Sequence, residues 1–247
     1  LLAALGFEAL TTTSAGLALT LARRDGTGAV TRTDALANAR AITEATDLPV
    51  AADLENGYGD SPEAAAETIR LAASEAGLVG ASIEDYTGDA ERPLYDFAHA
   101  VERVAAAVAA ARAFPWPFML VARTEGIIRG RPDLDETIRR LQAFETAGAD
   151  VLYAPGLTRA EDIRAVCSAV RKPVNIVMAL GKAPFSVTEL AALGVKRISV
   201  GSALTRAAFA GFLRAAREIR EHGTFHFADE TPSFGELIAL MQTNEKT

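Results

Sequence analysis

Short apolar runs that close on polar or small residues alternate along this chain with Ala-rich stretches whose apolar positions recur at helical spacing. Seven of the runs read as strands, over residues 8–13, 49–55, 80–85, 118–124, 150–156, 173–178 and 197–202. The stretches 33–46, 61–75, 95–113, 133–147, 158–170, 186–193 and 203–222 read as helices, and the chain also opens on a helical pattern at 1–5. Strictly alternating strands and helices argue for parallel βα units. The punctuation agrees: Ser61-Pro62-Glu63 sets an N-cap before a proline at the first helical position, and Gly148, Gly194 and Gly223 follow predicted helix ends. Seven strands are one short of the eight that close the common barrel. The pattern therefore predicts an α/β fold of the TIM (β/α)8 type, with the first strand upstream of Leu1. An open doubly wound sheet is the rival, but the Gly-rich dinucleotide fingerprint expected after its first strand is absent. One barrel domain is expected over 1–247, and its C-terminal helical part, 203–247, caps the barrel or packs on a neighbouring subunit.

Composition narrows the partners. With 247 residues, 49% of them hydrophobic, the chain can bury one full core, and roughly 250 residues is the usual barrel size. It carries 25 basic and 32 acidic residues, net -7, without a basic stripe, which argues against nucleic acid. No run approaches the roughly 18 uncharged apolar residues of a membrane span. The single cysteine, Cys167, excludes an internal disulfide and fits a reducing compartment, so a cytoplasmic protein is expected.

In such barrels chemistry sits at the C-terminal ends of the strands, and here those ends are acidic. Asp53 and Glu55 lie two apart and share one face of a strand; the next run ends Glu84-Asp85 and the following one Arg123-Thr124-Glu125. Converging carboxylates repel one another unless a cation or an arginine neutralises them, and hard oxygen donors suit Mg2+ or Mn2+. Two readings follow, a metal site or a structural carboxylate–arginine network.

The segment Asp53-Leu54-Glu55-Asn56-Gly57-Tyr58-Gly59 resembles the D-x-D/E-x-G-Y-G metal signature of the isocitrate lyase/phosphoenolpyruvate mutase superfamily. Ile83-Glu84-Asp85 resembles its next strand end and Ala122-Arg123-Thr124-Glu125 its A-R-T-D/E strand. Thr13-Ser14-Ala15-Gly16 with Arg24-Asp25, and later Val174-Asn175, extend the match over nearly the whole chain. The resemblance implies an eight-stranded barrel, often with its last helix exchanged between subunits of a dimer or tetramer. It implies Asp53 as the principal ligand of Mg2+ or Mn2+, with Glu55 and Glu84 acting directly or through water. Ser14, Ala15, Gly16 and Arg123 would bind a substrate carboxylate, Asn175 would hydrogen-bond the same ligand, and Asp25 would face the site as a further acid. Arg123, Asp25 and Glu84 are thereby the expected catalytic groups.

The chain also departs from that pattern. Lyases of the superfamily carry a Lys-Lys-Cys-Gly-His-type loop after this third strand, and its Cys protonates the product carbon. Here the stretch from Asp85 to Tyr95 has no Cys, Lys or His. Pro155 stands where methylisocitrate lyases have a Glu, and Val177 where they have a hydroxyl, which predicts a smaller or less charged ligand. Cys167 falls within a predicted helix and reads as a small buried hydrophobe. His99, His222 and His226 lack ligand spacing, Trp116 reads as a packing residue, and Arg129-Gly130-Arg131-Pro132 as a solvated loop or an anion contact. The expectation is a metal-dependent carbon–carbon lyase or decarboxylase acting on a small 2-oxo or 2-hydroxy acid through a metal-chelated enolate. Phosphorus–carbon chemistry on phosphonopyruvate, or a 2-oxo acid binder without turnover, are the alternatives.

Overall fold

The seven predicted runs all form strands, shorter than the sequence suggested, in a computed structural model that describes residues 1–180 and 185–242. They are β1 (Leu10–Thr11), β2 (Val50–Asp53), β3 (Gly80–Glu84), β4 (Met119–Arg123), β5 (Val151–Tyr153), β6 (Val174–Val177) and β7 (Arg197–Ser199). Every neighbouring pair is parallel and the spatial order is the chain order, β1 to β7. β3 and β6 are buried at every position, as strands covered on both faces must be. The sheet curls: β1 and β7 do not pair, yet Leu10 and Thr11 line the same cavity as Arg197 and Ser199. This is a (β/α)8-type barrel with one strand missing.

Helices α1 (Ser14–Thr20), α2 (Arg32–Glu44), α3 (Pro62–Ser74), α4 (Phe97–Arg112) and α5 (Leu134–Thr146) cover the first part of the sheet. α6 (Ala160–Ala169), α7 (Val187–Ala192) and α8 (Ala203–His222) follow, then a 3-10 turn at His226–Glu230 and α9 (Phe234–Gln242). Their starts follow from side chains that satisfy otherwise orphaned amides. Ser61 accepts from the Ala64 amide ahead of Pro62, and Thr31 with Asp34 and Ser186 with Glu189 make capping boxes. α8 ends on Gly223 at φ 67°, left-handed backbone that glycine adopts without strain. The core is built from Phe118, Leu120, Leu141, Phe144, Leu152 and Ile176, with alanines such as Ala65, Ala72 and Ala107 on the buried faces of α3 and α4.

Three expectations need correction. Residues 1–5 form hydrogen-bonded turns (Leu5 N to Leu1 O, 3.1 Å; Gly6 N to Ala3 O, 2.9 Å) rather than a helix. The sequence pattern assigns no helix to residues 14–20, where α1 forms; at seven residues it is too short to show helical periodicity. The second run leaves the sheet at Asp53 instead of Glu55, because Glu55 and Tyr58 take positive φ. In the C-terminal part, α8 has no buried residue, and Phe212, Phe225 and Phe234 are exposed; residues 243–247 lie outside the described residues. Trp116 is half exposed and stacks on Phe114. Cys167 is only half-buried, against Gly194. Among the described residues no helix is long and apolar enough to cross a membrane.

Candidate functional site

Strand register brings one layer of polar residues to the same height. Glu84 pairs in register with Arg123, Arg123 with Tyr153, Tyr153 with Asn175, and Asn175 with Arg197. Beside this layer, Asp53 ends β2 and Ser14 opens α1. Ser14, Ala15, Asp25, Asp53, Arg123 and Asn175 line one cavity of about 430 Å³, a volume suited to a small ligand. Glu55 and Glu84 instead line a neighbouring cavity of about 640 Å³, with Gly26, Tyr58 and Tyr86. The structure thus gathers most of the sequence-predicted residues and divides the carboxylates between two chambers. A larger groove of about 1220 Å³, outside the barrel beside α5, contains none of them.

Electrostatics join what the cavities separate. The Arg123 guanidinium contacts Glu84 Oε2 at 3.3 Å and Asp53 Oδ2 at 3.6 Å, and its Nε donates to Glu125 Oε1. Burial opposes its charge, but Glu84, Glu125 and Asp53 outweigh burial and hold its pKa well above the ordinary arginine value. Glu125 is wholly buried, and its second oxygen accepts from Arg129 Nε at 2.8 Å. Arg129 lies over the Tyr86 ring at 3.6 Å and Arg123 over Tyr153 at 5.0 Å. From behind, Asp85 fixes this end of β4, accepting from the Glu125 amide (2.8 Å), Thr124 Oγ1 (2.8 Å) and Arg140 Nη1 (3.1 Å).

Burial lifts three of the carboxylates above their ordinary range. Burial, then the charges of Asp53 and Asp25, push Glu55 up to about 7. Burial also raises Asp25; a hydrogen bond from Ser14 opposes it and the charge of Asp53 adds to it. Glu84 is raised well above the usual carboxylate range because it is buried, with Glu125 and Asp53 near, against the pull of Arg123. Among the described residues no three of His, Cys, Asp and Glu stand together as a ready-made metal ligand set.

Asp53 is held by Ser14, through Oγ at 3.1 Å and the backbone N at 3.4 Å. The Gly16 amide is taken by Thr13 Oγ1 at 3.4 Å, so two of the three amides expected to bind substrate are already engaged. Gly16 is there for space, since a Cβ on it would stand 2.5 Å from Thr13 Cγ2. Asn175 is wholly buried; Nδ2 donates to Ser199 Oγ at 3.0 Å, while Oδ1 has no donor among the described residues. Sequence reasoning placed Glu125 among the strand-end carboxylates but did not assign Tyr153 to the site. Tyr153 was within reach of a register argument, because the strand-end residue between Arg123 and Asn175 must share their layer. The double role of Glu125 needed coordinates.

Comparison with known proteins places the chain in a family and confirms its fold. Residues 1–220 match the family described as phosphoenolpyruvate phosphomutase. The chain is 31% identical over 216 residues to the 2-methylisocitrate lyase of Escherichia coli K12, covering 82% of this chain and 71% of that enzyme. A crystal structure from Burkholderia cenocepacia J2315, described as a lyase/mutase, is 54% identical with a TM-score of 0.94, over 98% of this chain and 86% of the other. Phosphonopyruvate hydrolase in complex with oxalate and Mg2+ superposes with a TM-score of 0.84 at 26% identity, over 96% of this chain and 83% of the hydrolase.

Proposed function

The chain belongs to the phosphoenolpyruvate phosphomutase family, within the isocitrate lyase superfamily, and on that premise we propose that it is a metal-dependent lyase or decarboxylase of a small 2-oxo or 2-hydroxy acid. The observation that carries this reading is the meeting, along one cavity of ligand size, of Asp53, Arg123 and Asn175, whose buried amide oxygen has no donor among the described residues. A buried acceptor without a donor is costly, and a hydroxyl on a bound acid supplies one.

Hard oxygen donors among which burial, and then repulsion from Asp53 and Asp25, lifts Glu55 to about 7 are the chemistry that Mg2+ or Mn2+ relieves. Since no three of them form a cage, we assign Asp53 as the direct ligand and Glu55 and Glu84 as partners through water, the manner in which magnesium is commonly held. Bound there, the cation supplies Lewis acidity toward carboxylate and ketone oxygens. Arg123 offers a substrate carboxylate two parallel donors, and the Ala15 amide adds a third from the start of α1. Ser14 keeps Asp53 aimed. Asp25, in the same cavity with its carboxyl raised, is the group we assign to carry a proton, because the segment after β3 has no Cys, Lys or His. That segment folds back on itself, with Tyr86 bridged to Leu94 and the Thr87 amide on the Pro93 carbonyl (3.0 Å).

The bare apolar side of α8 and the exposed Phe225 and Phe234 support an exchange of the C-terminal part, 203–247, between copies of a homo-oligomer. A cytoplasmic setting goes with the single cysteine. Titration calorimetry with oxalate at saturating Mg2+ tests the binding half, with Mg2+-dependent heat expected; absence of oxalate binding sinks the reading. A panel of 2-oxo and 2-hydroxy acids then tests turnover. The likeness to phosphonopyruvate hydrolase favours phosphorus–carbon cleavage as the second reading, which phosphate release from phosphonopyruvate decides. Tight metal-dependent binding with no turnover on either panel identifies a binder.

A further inference from the structure

Another buried arginine, besides Arg123 and the Asp85-bound Arg140, sits behind the site, and neither the fold nor the proposed chemistry accounts for it. Arg103, on the inner face of α4, is 1% exposed. A guanidinium removed from water needs compensation, yet its hydrogen bonds all go to neutral backbone carbonyls. Nη1 donates to the carbonyls of Gly59 (2.8 Å), Asp60 and Ser61 (3.2 Å), and Nη2 to that of Asn56. All four belong to the loop that leaves β2 and carries Glu55. The ring of Tyr95 lies under the guanidinium at 4.4 Å, and its hydroxyl donates to Asp60 Oδ1 (2.6 Å) while accepting from Asn56 Nδ2 (3.0 Å). His99 Nε2 lies 2.8 Å from the Asp60 carbonyl oxygen.

That loop is strained. Glu55 and Tyr58 sit at φ 47° and 58°, with Gly57 at 82° between them. Side-chain-bearing residues stay in left-handed backbone only where their surroundings over-determine it. Thr68 Oγ1 holds the Gly57 carbonyl (2.6 Å), while Arg103 is the donor to the carbonyls of Asn56 and Gly59 and shares those of Asp60 and Ser61 with His99 and with the Ala64 and Ala65 amides. On the other side of the loop, the Glu55 amide reaches Asp53 Oδ1 (3.3 Å) and the Glu55 carbonyl accepts from the Glu84 amide (2.9 Å). The loop therefore spans the distance between a guanidinium behind it and the carboxylates in front.

We propose that Arg103 is a positioning residue: by gathering the carbonyls of the 56–61 loop it holds Glu55 in place beside Asp53 and Glu84, and through Tyr95 it clasps that loop to the end of the segment following β3. The function assigned to Glu55 rests on the metal reading above, while the clasp itself is independent of it. Arginine suits the task because one planar fork reaches several oxygens, which a lysine ammonium does only in part.

The test compares Arg103→Met, Arg103→Lys and Tyr95→Phe with the unaltered protein, reading Mn2+ affinity by electron paramagnetic resonance and amide hydrogen exchange by mass spectrometry. Arg103→Met is expected to weaken Mn2+ binding by about 10- to 100-fold, the range typical when a partner behind a metal ligand is lost. Arg103→Lys should recover part of this, and Tyr95→Phe should lose less. In each variant, exchange should quicken in residues 56–61 and not in β4 and β5. Unchanged exchange in 56–61, or acceleration spread evenly over the barrel, overturns the proposal, as does unaltered Mn2+ affinity in a folded Arg103→Met. Should Arg103→Met fail to fold, the two milder variants decide by the same readings. Should the unaltered protein bind no Mn2+, the metal reading fails, and local exchange alone decides for or against Arg103.

Discussion

Two arginines lie within the barrel wall and live by different rules. Arg123 is surrounded by carboxylates, Asp53, Glu84 and Glu125; Arg103 by the carbonyls of Asn56, Gly59, Asp60 and Ser61. The first is part of a charge balance that can be redistributed when an anion or a cation arrives. The second is a cation whose hydrogen-bond partners are backbone carbonyls, which cannot change their charge. The chemistry of this site is therefore expected to respond to pH, salt and ligand on the Arg123 side, and to respond only to geometry on the Arg103 side.

The contrast breaks most visibly at Arg123 itself. Arg123→Met leaves Glu84 and Glu125 buried without their shared cation, and loss of one partner in a buried ion pair typically costs about 3–5 kcal/mol; denaturant unfolding should show a loss of that order at pH 8, with oxalate binding abolished in calorimetry. Stability equal to the parent protein would mean that the network is not charged. Glu55→Gln acts in the opposite sense. Glu55 is raised to about 7 from an unfolded value near ~4.3, so its contribution to stability is complete below that unfolded value and is lost as pH rises through about 7. The metal-free variant should match the parent at pH 4.5 and exceed it at pH 8.5 by about 1 to 2 kcal/mol, allowing for screening at a half-buried group. Mn2+ affinity of the parent should rise across the same pH range, since proton and cation compete for the carboxylate.

A smaller effect is expected at Asn175. Asn175→Leu removes an acceptor that has no donor among the described residues and should leave thermal stability within about 1 kcal/mol of the parent, while 2-hydroxy acid affinity falls about tenfold, a loss of ~1.4 kcal/mol, and oxalate affinity, which offers that acceptor no donor, changes less. The smallest change in stability belongs to Arg129→Gln. Its partner Glu125 keeps Arg123, and a partly exposed ion pair is worth ~1 kcal/mol or less, so the melting temperature should barely move. A large destabilisation there would show that the charge balance extends farther from the mouth than the contacts suggest.

Much of this was legible in the sequence for definite reasons. Each strand is a compact apolar run, so all seven appear in order, and the barrel rule then directs attention to Asp53, Glu84 and Arg123 at their ends. The division of carboxylates between two chambers was not legible. It follows from positive φ at Glu55, which ends the strand two residues early and cancels the alternation argument that put Asp53 and Glu55 on one face. Arg103 was invisible for a different reason: a single arginine in an Ala-rich helix reads as a solvated position, and only the fold shows that its neighbours are carbonyls of a loop more than forty residues earlier. α1 escaped because two turns of small residues carry no period.

Glu125 gives one oxygen to Arg123 and the other to Arg129, and only Arg129 reaches water to any extent, at 32% side-chain exposure against 14%. A buffer anion that draws Arg129 away leaves more of that carboxylate's charge to Arg123 and less of Arg123's to a ligand. Dissolved phosphate or sulfate is thus expected to weaken acid binding at a residue it never touches, and affinities taken in different buffers should differ by more than simple screening requires.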